Sequence, residues 1–142
     1  MLAVVFVARL SLGFQFQSIA SVSPLLVDDL HLTYTELGWL IGLFSLPGVV
    51  LAFPGGLLGR RFGERPVAVA GLALMALGAL ITAWSSSFLP ASAGRTLSGA
   101  GFVLANTVFA KMIADWFVGK ELATAMAIML TAWPMGIGLA LV

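Results

Sequence analysis

Long apolar stretches alternate with short polar connections along the whole chain. A bilayer core about 30 Å thick requires roughly 20 helical residues, and the chain reaches or approaches that length five times. Inside lipid each stretch must be helical, because every backbone polar group there needs an internal partner. The pattern therefore predicts an all-α integral membrane protein. Its five spans, the last one incomplete, cover about residues 4–27, 34–58, 66–86, 90–113 and 121–142.

Local signals place several helix starts. The segment Thr33–Glu36 fits a capping box, in which the two terminal side chains satisfy free N–H groups at the start of the second span. Pro66 and Pro90 suit the first turns of the third and fourth spans. Four further prolines lie inside or near the ends of spans, where they are expected to kink a helix. They are Pro24, Pro47, Pro54 and Pro134.

The composition confines the protein to a membrane. Hydrophobic residues make up 61% of the chain and charged residues 9%, whereas a soluble domain has about 25% charged residues. The net charge of +1 offers no field that would attract nucleic acid. Cysteine is absent, which excludes disulfides and thiolate metal sites. Arg9 and two glutamines inside the first span argue against a cleaved signal peptide.

The few charges are unevenly placed. The connection between the second and third spans carries Arg60, Arg61 and Arg65, and the connection after the fourth span carries Lys120. The other two connections have no lysine or arginine. Since positively charged loops stay in the cytoplasm, we expect a multi-pass protein of the inner cell membrane with a cytoplasmic N-terminus.

The arginine-bearing connection also has a recognisable spacing. The letters G-x-L-x-x-R-x-G-x-R over residues 56–65 resemble the loop signature of the major facilitator superfamily, roughly G-x-L-a-D-R-x-G-R-R/K, between the same two spans. The signature positions and their neighbours are Gly56, Arg60, Arg61, Gly63, Glu64 and Arg65. We expect Gly56 to permit close helix approach, Gly63 a tight turn, and the arginines to lie at a helix C-terminus.

Two of these positions depart from the family signature. Arg60 stands where the family has an aspartate, and Glu64 stands where it has an arginine. In the family that aspartate joins a charge network between two halves, and the network helps hold the outward-facing state. Without the aspartate, this chain is not expected to form that network in full.

Later segments resemble the family as well. Arg95, Gly99 and Gly101 match an R-x-x-x-G-x-G signature in the fourth span, and Asp115–Phe117 followed by Lys120 resembles the next connection. The resemblance implies part of a six-helix N-terminal half, with a C-terminal half expected in the full protein. The first two spans look most like the cyanate/nitrate-type porter branch.

Polar groups inside spans are candidates for solute contact. Arg95 shares a helix face with Gly99, Phe102, Asn106 and Phe109, which we interpret as a cavity wall. The alternative is an arginine that reaches the membrane interface.

Three other side chains complete the candidate set, namely Arg9, Gln17 and Trp133. For Arg9 the interface is the favoured position, although a cavity position stays open. Gln17 could bind a solute or a neighbouring helix, Gln15 and Ser18 are expected to bond neighbouring helices, and Trp133 could stack on a ligand. Gly38, Gly42 and Ser45 form a small-residue stripe expected to pack against another helix.

These features favour a secondary transporter that moves a small, anionic solute, because arginines without acidic residues inside the spans attract anions. The partners are then the lipid bilayer and the solute. An intramembrane enzyme is disfavoured, since no convergent catalytic set is present, and we predict no cofactor and no metal site. Two alternatives remain: a membrane sensor or interaction protein with a borrowed fold, and a non-functional truncated gene product.

Overall fold

A computed structural model describes residues 2–141 and is entirely helical in that range apart from short connections. The predicted all-α membrane fold is confirmed. The six helices of this range are α1 (Leu2–Ser21), α2 (Ser23–Leu30), α3 (Tyr34–Phe62), α4 (Glu64–Ala83), α5 (Phe88–Trp116) and α6 (Lys120–Ala140). All except α2 are long and apolar enough to cross a membrane.

The first span is not the single helix predicted over residues 4–27. It is divided at Val22, and α2 then carries the chain to Leu30. Pro24 lies at the start of α2. Proline has no N–H group and cannot extend the hydrogen-bond ladder of the preceding helix, which accounts for the interruption at this point.

The other spans keep their predicted order with shifted ends. The capping box at Thr33 and Glu36 is confirmed, with the Thr33 N–H donating to the Glu36 carboxylate over 2.8 Å. Helix α3 continues one turn past residue 58 and α5 ends at Trp116 rather than 113. Pro47, Pro54 and Pro134 lie inside helices, as predicted. The predicted end of the last span, Val142, lies outside the described residues.

Glycines set the distance between α4 and α5. A Cβ added at Gly71 would lie 2.8 Å from the Gly101 carbonyl oxygen, and one at Gly94 would lie 2.7 Å from the Gly78 carbonyl oxygen. The two backbones therefore touch directly, which only small residues allow.

Close backbone contacts at glycines also join the remaining long helices. Gly13 on α1 faces the backbone at Trp133 and Gly136 on α6, and Gly99 on α5 lies against the Phe44 backbone on α3. Helix α5 thus packs on both α3 and α4, while α1 packs on α6. More than half of the membrane-spanning window of α5 is buried, and α5 forms the centre of the bundle.

The small-residue stripe predicted on α3 does not pack in this way. Gly38, Gly42 and Ser45 are all exposed, and no atom lies within 4 Å of a Cβ added at either glycine. Within residues 2–141 the packing glycines of α3 are instead Gly48, Gly55 and Gly59, which face α5.

Candidate solute-binding site

The predicted stripe on α5 faces the interior of the bundle. Arg95, Phe102 and Asn106 contact three different helices, namely α1, α3 and α6. At about 1.5 Å per residue, Phe102 lies roughly 10 Å along α5 from Arg95, and Asn106 roughly 6 Å further. The stripe therefore carries an arginine, an aromatic side chain and an amide at three successive depths.

Arg95 is buried, with 2% of its surface exposed, which excludes the interface position. Its guanidinium donates to the carbonyl oxygens of Leu40 at 3.3 Å, Gln15 at 3.3 Å and Phe16 at 3.4 Å. The guanidinium carbon also lies 4.6 Å from the centre of the Phe44 ring, within the range of a cation–π contact. Arg95 therefore ties α1 and α3 to α5.

Four aromatic rings form a closed cluster next to Arg95, on the side towards the C-terminal end of α5. Each ring contacts two others in the set, with centroid distances from 5.2 to 5.5 Å. Contacts at such distances and inclined angles stabilise aromatic pairs. This aromatic cluster comprises Phe16 on α1, Phe44 on α3, Phe102 on α5 and Trp133 on α6.

A second arginine lies on the other side of the aromatic cluster. Arg9 on α1 donates from Nη1 to the Asn106 Oδ1 on α5 over 2.5 Å. This bond corrects the expectation that Arg9 reaches the membrane interface. The Arg9 Nε is buried and has no hydrogen-bond partner among the described residues. An unsatisfied donor on a charged group is costly inside a membrane.

The two glutamines of α1 behave differently. Gln15 donates from Nε2 to the Met75 carbonyl on α4 over 2.9 Å, and its expected bond to a neighbouring helix is confirmed. The same expectation for Ser18 is wrong, because its hydroxyl donates to the Gln15 carbonyl within α1. Gln17 is half-buried and lies about 12 Å along α1 from Arg9, at 1.5 Å per residue.

Arg95 also borders a cavity whose lining is mostly apolar with a few polar side chains. The cavity has a volume of about 320 Å³ and lies between α1, α2, α4 and α5, with Asp29 of α2 among its lining residues. Gln15, Ser98 and Thr82 line it with Arg95. Ser98 donates to the same Met75 carbonyl that Gln15 uses, over 3.2 Å.

The turn between α3 and α4 confirms part of the motif analysis. Gly63 has φ +89° and is the single residue between the two helices, so it makes the tight turn predicted for it. Arg60 and Arg61 lie in the last turn of α3. Arg65, however, lies in the first turn of α4, so the prediction of a helix C-terminus is wrong for this arginine.

The close approach predicted for Gly56 is not found either. No atom lies within 4 Å of a Cβ added there, because Gly55 and Gly59 occupy the face that meets α5.

Glu64 has a definite partner in the bundle. Lys111 on α5 forms ion pairs with both Glu64 and Asp115. The pairs join the α3–α4 turn to the end of α5. Glu64 is thus engaged with α5, and Arg60 stands at the position of the acidic residue in the signature.

Sequence reasoning missed some of these partners. Phe16 and Phe44 were not among the candidates, although both belong to the aromatic cluster with Trp133. The only available signal was the presence of large aromatic residues in spans that also carry polar groups. Among residues 2–141, no group of three or more His, Asp or Glu side chains could hold a metal ion.

A sequence model described as Major Facilitator Superfamily matches residues 5–142. Over 69 residues the chain is 41% identical to the inner membrane transport protein YajR of Escherichia coli, a stretch that covers 49% of this chain and 15% of that protein. It is 24% identical over 119 residues to a hexuronate transporter of Bacillus subtilis, covering 84% of this chain and 28% of that protein.

A third relative is the bacillibactin exporter of Bacillus subtilis. The identity is 26% over 105 residues, covering 70% of this chain and 26% of the exporter. The chain thus spans between 15% and 28% of the lengths of these three relatives.

Proposed function

Because the chain belongs to the major facilitator superfamily, we propose that it forms most of the N-terminal half of a transporter that moves a small anionic solute by alternating access. The match covers nearly all of the chain, and the relatives described above are named as transport proteins or exporters. Such transporters bind their solute near the midplane, between two repeats that rock against each other.

Arg9 carries the solute-binding part of the proposal. It is half-buried, its Nε has no partner among the described residues, and Asn106 beside it offers further polar contacts. An anion would satisfy the free donor and compensate the charge. Gln17 and Trp133 are the further candidates on the neighbouring faces. Arg95 is a weaker candidate, because three carbonyl oxygens and an aromatic ring already hold it.

The choice of an anion has independent support. Among the described residues, neither Arg9 nor Arg95 forms a salt bridge with a carboxylate, and the ion pairs found there belong to Lys111. One relative is named for hexuronate, which is a carboxylate. The cyanate/nitrate-type branch is the specific hypothesis drawn from the first two spans.

Anion-dependent stabilisation of the purified chain tests the proposal. Nitrate, cyanate, glucuronate and, as a neutral control, glucose are added at increasing concentration during denaturant unfolding in detergent. A ligand at 100 times its dissociation constant adds about 2.7 kcal/mol to the unfolding free energy. We expect at least one anion to stabilise the wild type and glucose to have no effect.

Arg9→Gln should abolish that stabilisation, whereas Arg61→Gln should preserve it, because Arg61 is an exposed arginine outside the bundle interior. Equal responses of the two variants would contradict the assignment of Arg9. A lack of response to every anion would contradict anion binding by this chain.

The exposed face of α3 supports a second half as partner. Gly38 and Gly42 permit close helix approach but have no neighbour within residues 2–141. We propose that the C-terminal half of the full transporter packs there. Proteoliposomes that contain the 142-residue chain alone are then expected to take up no labelled anion, and measurable uptake would contradict the need for a second half.

The proposed orientation can be tested with single cysteines, because the chain has none of its own. Ser86 and Val118 are both exposed, in connections at opposite ends of the bundle. Ser86→Cys should react with an impermeant maleimide added outside intact cells, and Val118→Cys should react only after lysis. The reverse pattern would place the arginines outside.

A further inference from the structure

The hydrogen bond between Arg9 and Asn106 joins two parts of the helical bundle. Helix α1 packs chiefly on α6, whereas α5 packs chiefly on α3 and α4. The Arg9 Nη1 on α1 donates to the Asn106 Oδ1 on α5, so the bond crosses from one group of helices to the other. Both side chains are half-buried. The pair is therefore formed by α1 and α5 alone.

The acceptor in this pair is electrically neutral. An arginine side chain has donors only, so the amide atom that faces Nη1 must be the carbonyl oxygen of Asn106. The amide nitrogen then points away from the guanidinium and carries two further N–H donors. Arginines inside membranes usually pair with a carboxylate or with backbone carbonyl groups. Within residues 2–141, the Asn106 oxygen is instead the single acceptor of Arg9, and it leaves the positive charge uncompensated.

We propose that Asn106 sets the preference of this site for anions, because it positions Arg9 with a neutral acceptor and keeps the positive charge available to the solute. The inference rests on the proposed function, since it concerns the same site. A carboxylate at position 106 would close an ion pair with Arg9. An apolar side chain there would leave the guanidinium free to change rotamer. An amide holds the guanidinium and avoids both effects.

The ligand class that fits this pair is an anion whose contacting atoms are acceptors. Both side chains present N–H groups, so the ligand atoms that face them must accept hydrogen bonds. A negative charge also compensates the guanidinium through charge-assisted hydrogen bonds, which are roughly twice as strong as neutral ones. Nitrate and carboxylates meet both conditions. A neutral sugar can accept hydrogen bonds but does not compensate the charge.

A purely structural role for Asn106 is the competing explanation. Polar bonds between helices stabilise membrane bundles without any ligand, and this bond joins α1 to α5. A structural role is fulfilled by any acceptor, including a carboxylate, whereas the proposed role requires a neutral one. The two explanations therefore predict different effects of the same substitution.

Asn106→Asp separates the two roles, because it keeps the size and the acceptor oxygen and adds one negative charge. Nitrate, glucuronate and glucose are added at increasing concentration during denaturant unfolding of the wild type and the variant in detergent. Without ligand, we expect the variant to unfold at the same or a higher denaturant concentration, since a charge-assisted bond replaces a neutral one. Its dissociation constant for the anion should rise at least about a hundredfold, the effect of a unit charge a few ångströms from the ligand.

Asn106→Leu is the matched control, because it removes the acceptor without adding a charge. This variant should unfold at a lower denaturant concentration than the wild type. Its anion affinity should fall by about tenfold or less, the cost of ordering one mobile side chain on binding. Equal losses of anion affinity in the two variants would overturn the proposal, because the added charge would then have no effect of its own.

The remaining outcomes distinguish this inference from the proposed function. No response of the wild type to any anion would contradict the proposed function and this inference with it. A response that Asn106→Asp retains in full would overturn the inference alone and leave Asn106 as a structural bond. Loss of both stability and anion response in Asn106→Asp would mean that the amide N–H groups are what the site requires, and it would also overturn the proposal.

Discussion

Replacement of Gly99 by alanine should weaken the contact between α3 and α5. A Cβ at this position would lie 2.8 Å from the carbonyl carbon and 3.0 Å from the Cα of Phe44. Ordinary contacts begin near 3.4 Å, and a backbone cannot rotate away as a flexible side chain can. The two helices must separate, and overpacking of this kind costs about 1–3 kcal/mol.

Alanine also favours a helix over glycine by up to about 1 kcal/mol, which opposes the loss. Gly42→Ala supplies the matched control, because it makes the same change inside α3 with no atom within 4 Å of the added Cβ. We therefore expect Gly42→Ala to be neutral or stabilising, and Gly99→Ala to lie about 1–3 kcal/mol below it.

Unfolding of the detergent-solubilised chain by sodium dodecyl sulfate, followed by far-UV circular dichroism, measures this difference. The aromatic cluster reports the same event, since Phe44 lies against Trp133 through Phe16 and Phe102. Tryptophan emission should shift in Gly99→Ala only. Equal stability of the two alanine variants would refute the conclusion that the Gly99 contact holds α3 on α5.

Three further changes should have graded effects in the same unfolding assay. Thr33→Ala removes the capping box and should lower stability by about 1 kcal/mol, whereas Thr33→Ser should not; equal losses would contradict the cap. Gly63→Ala should cost about 1–3 kcal/mol because φ is +89° and ψ is 156°, a backbone region that is essentially restricted to glycine, and a neutral result would show that the turn relaxes. The charge reversals Glu64→Lys and Lys111→Glu should each destabilise, and their combination should recover about 0.2–1 kcal/mol; strict additivity would contradict a direct pair.

The sequence was a good guide to the spans because hydropathy measures the property that the bilayer selects. It predicted the capping box at Thr33, the turn at Gly63 and the engagement of Gln15 with another helix, all of which depend on local chemistry. The break at Val22 was the main error in the fold. Pro24 signalled a disturbance, but the sequence does not show whether neighbouring helices straighten it or accept the break.

The candidate site was predicted less completely. Arg9 and Arg95 were both identified as polar groups inside spans, yet their partners belong to other helices. The carbonyls that hold Arg95 come from α1 and α3, and no residue type marks them in advance. Gly38 and Gly55 show the same limit, because both are glycines on α3 and only packing determines which of them meets α5.

The partners of Arg95 also suggest an order of assembly during synthesis. A charged side chain inside a lone span opposes its entry into lipid, by about 2.5–3.5 kcal/mol at the helix centre and by less towards the ends. The oxygens that receive Arg95 belong to Gln15, Phe16 and Leu40, all of which leave the ribosome before α5 does. The carbonyl oxygens that accept hydrogen bonds from Arg95 are thus synthesised before Arg95 itself. Helix α5 can enter the membrane against helices already present, and its least lipid-compatible residue becomes the one that joins it to them.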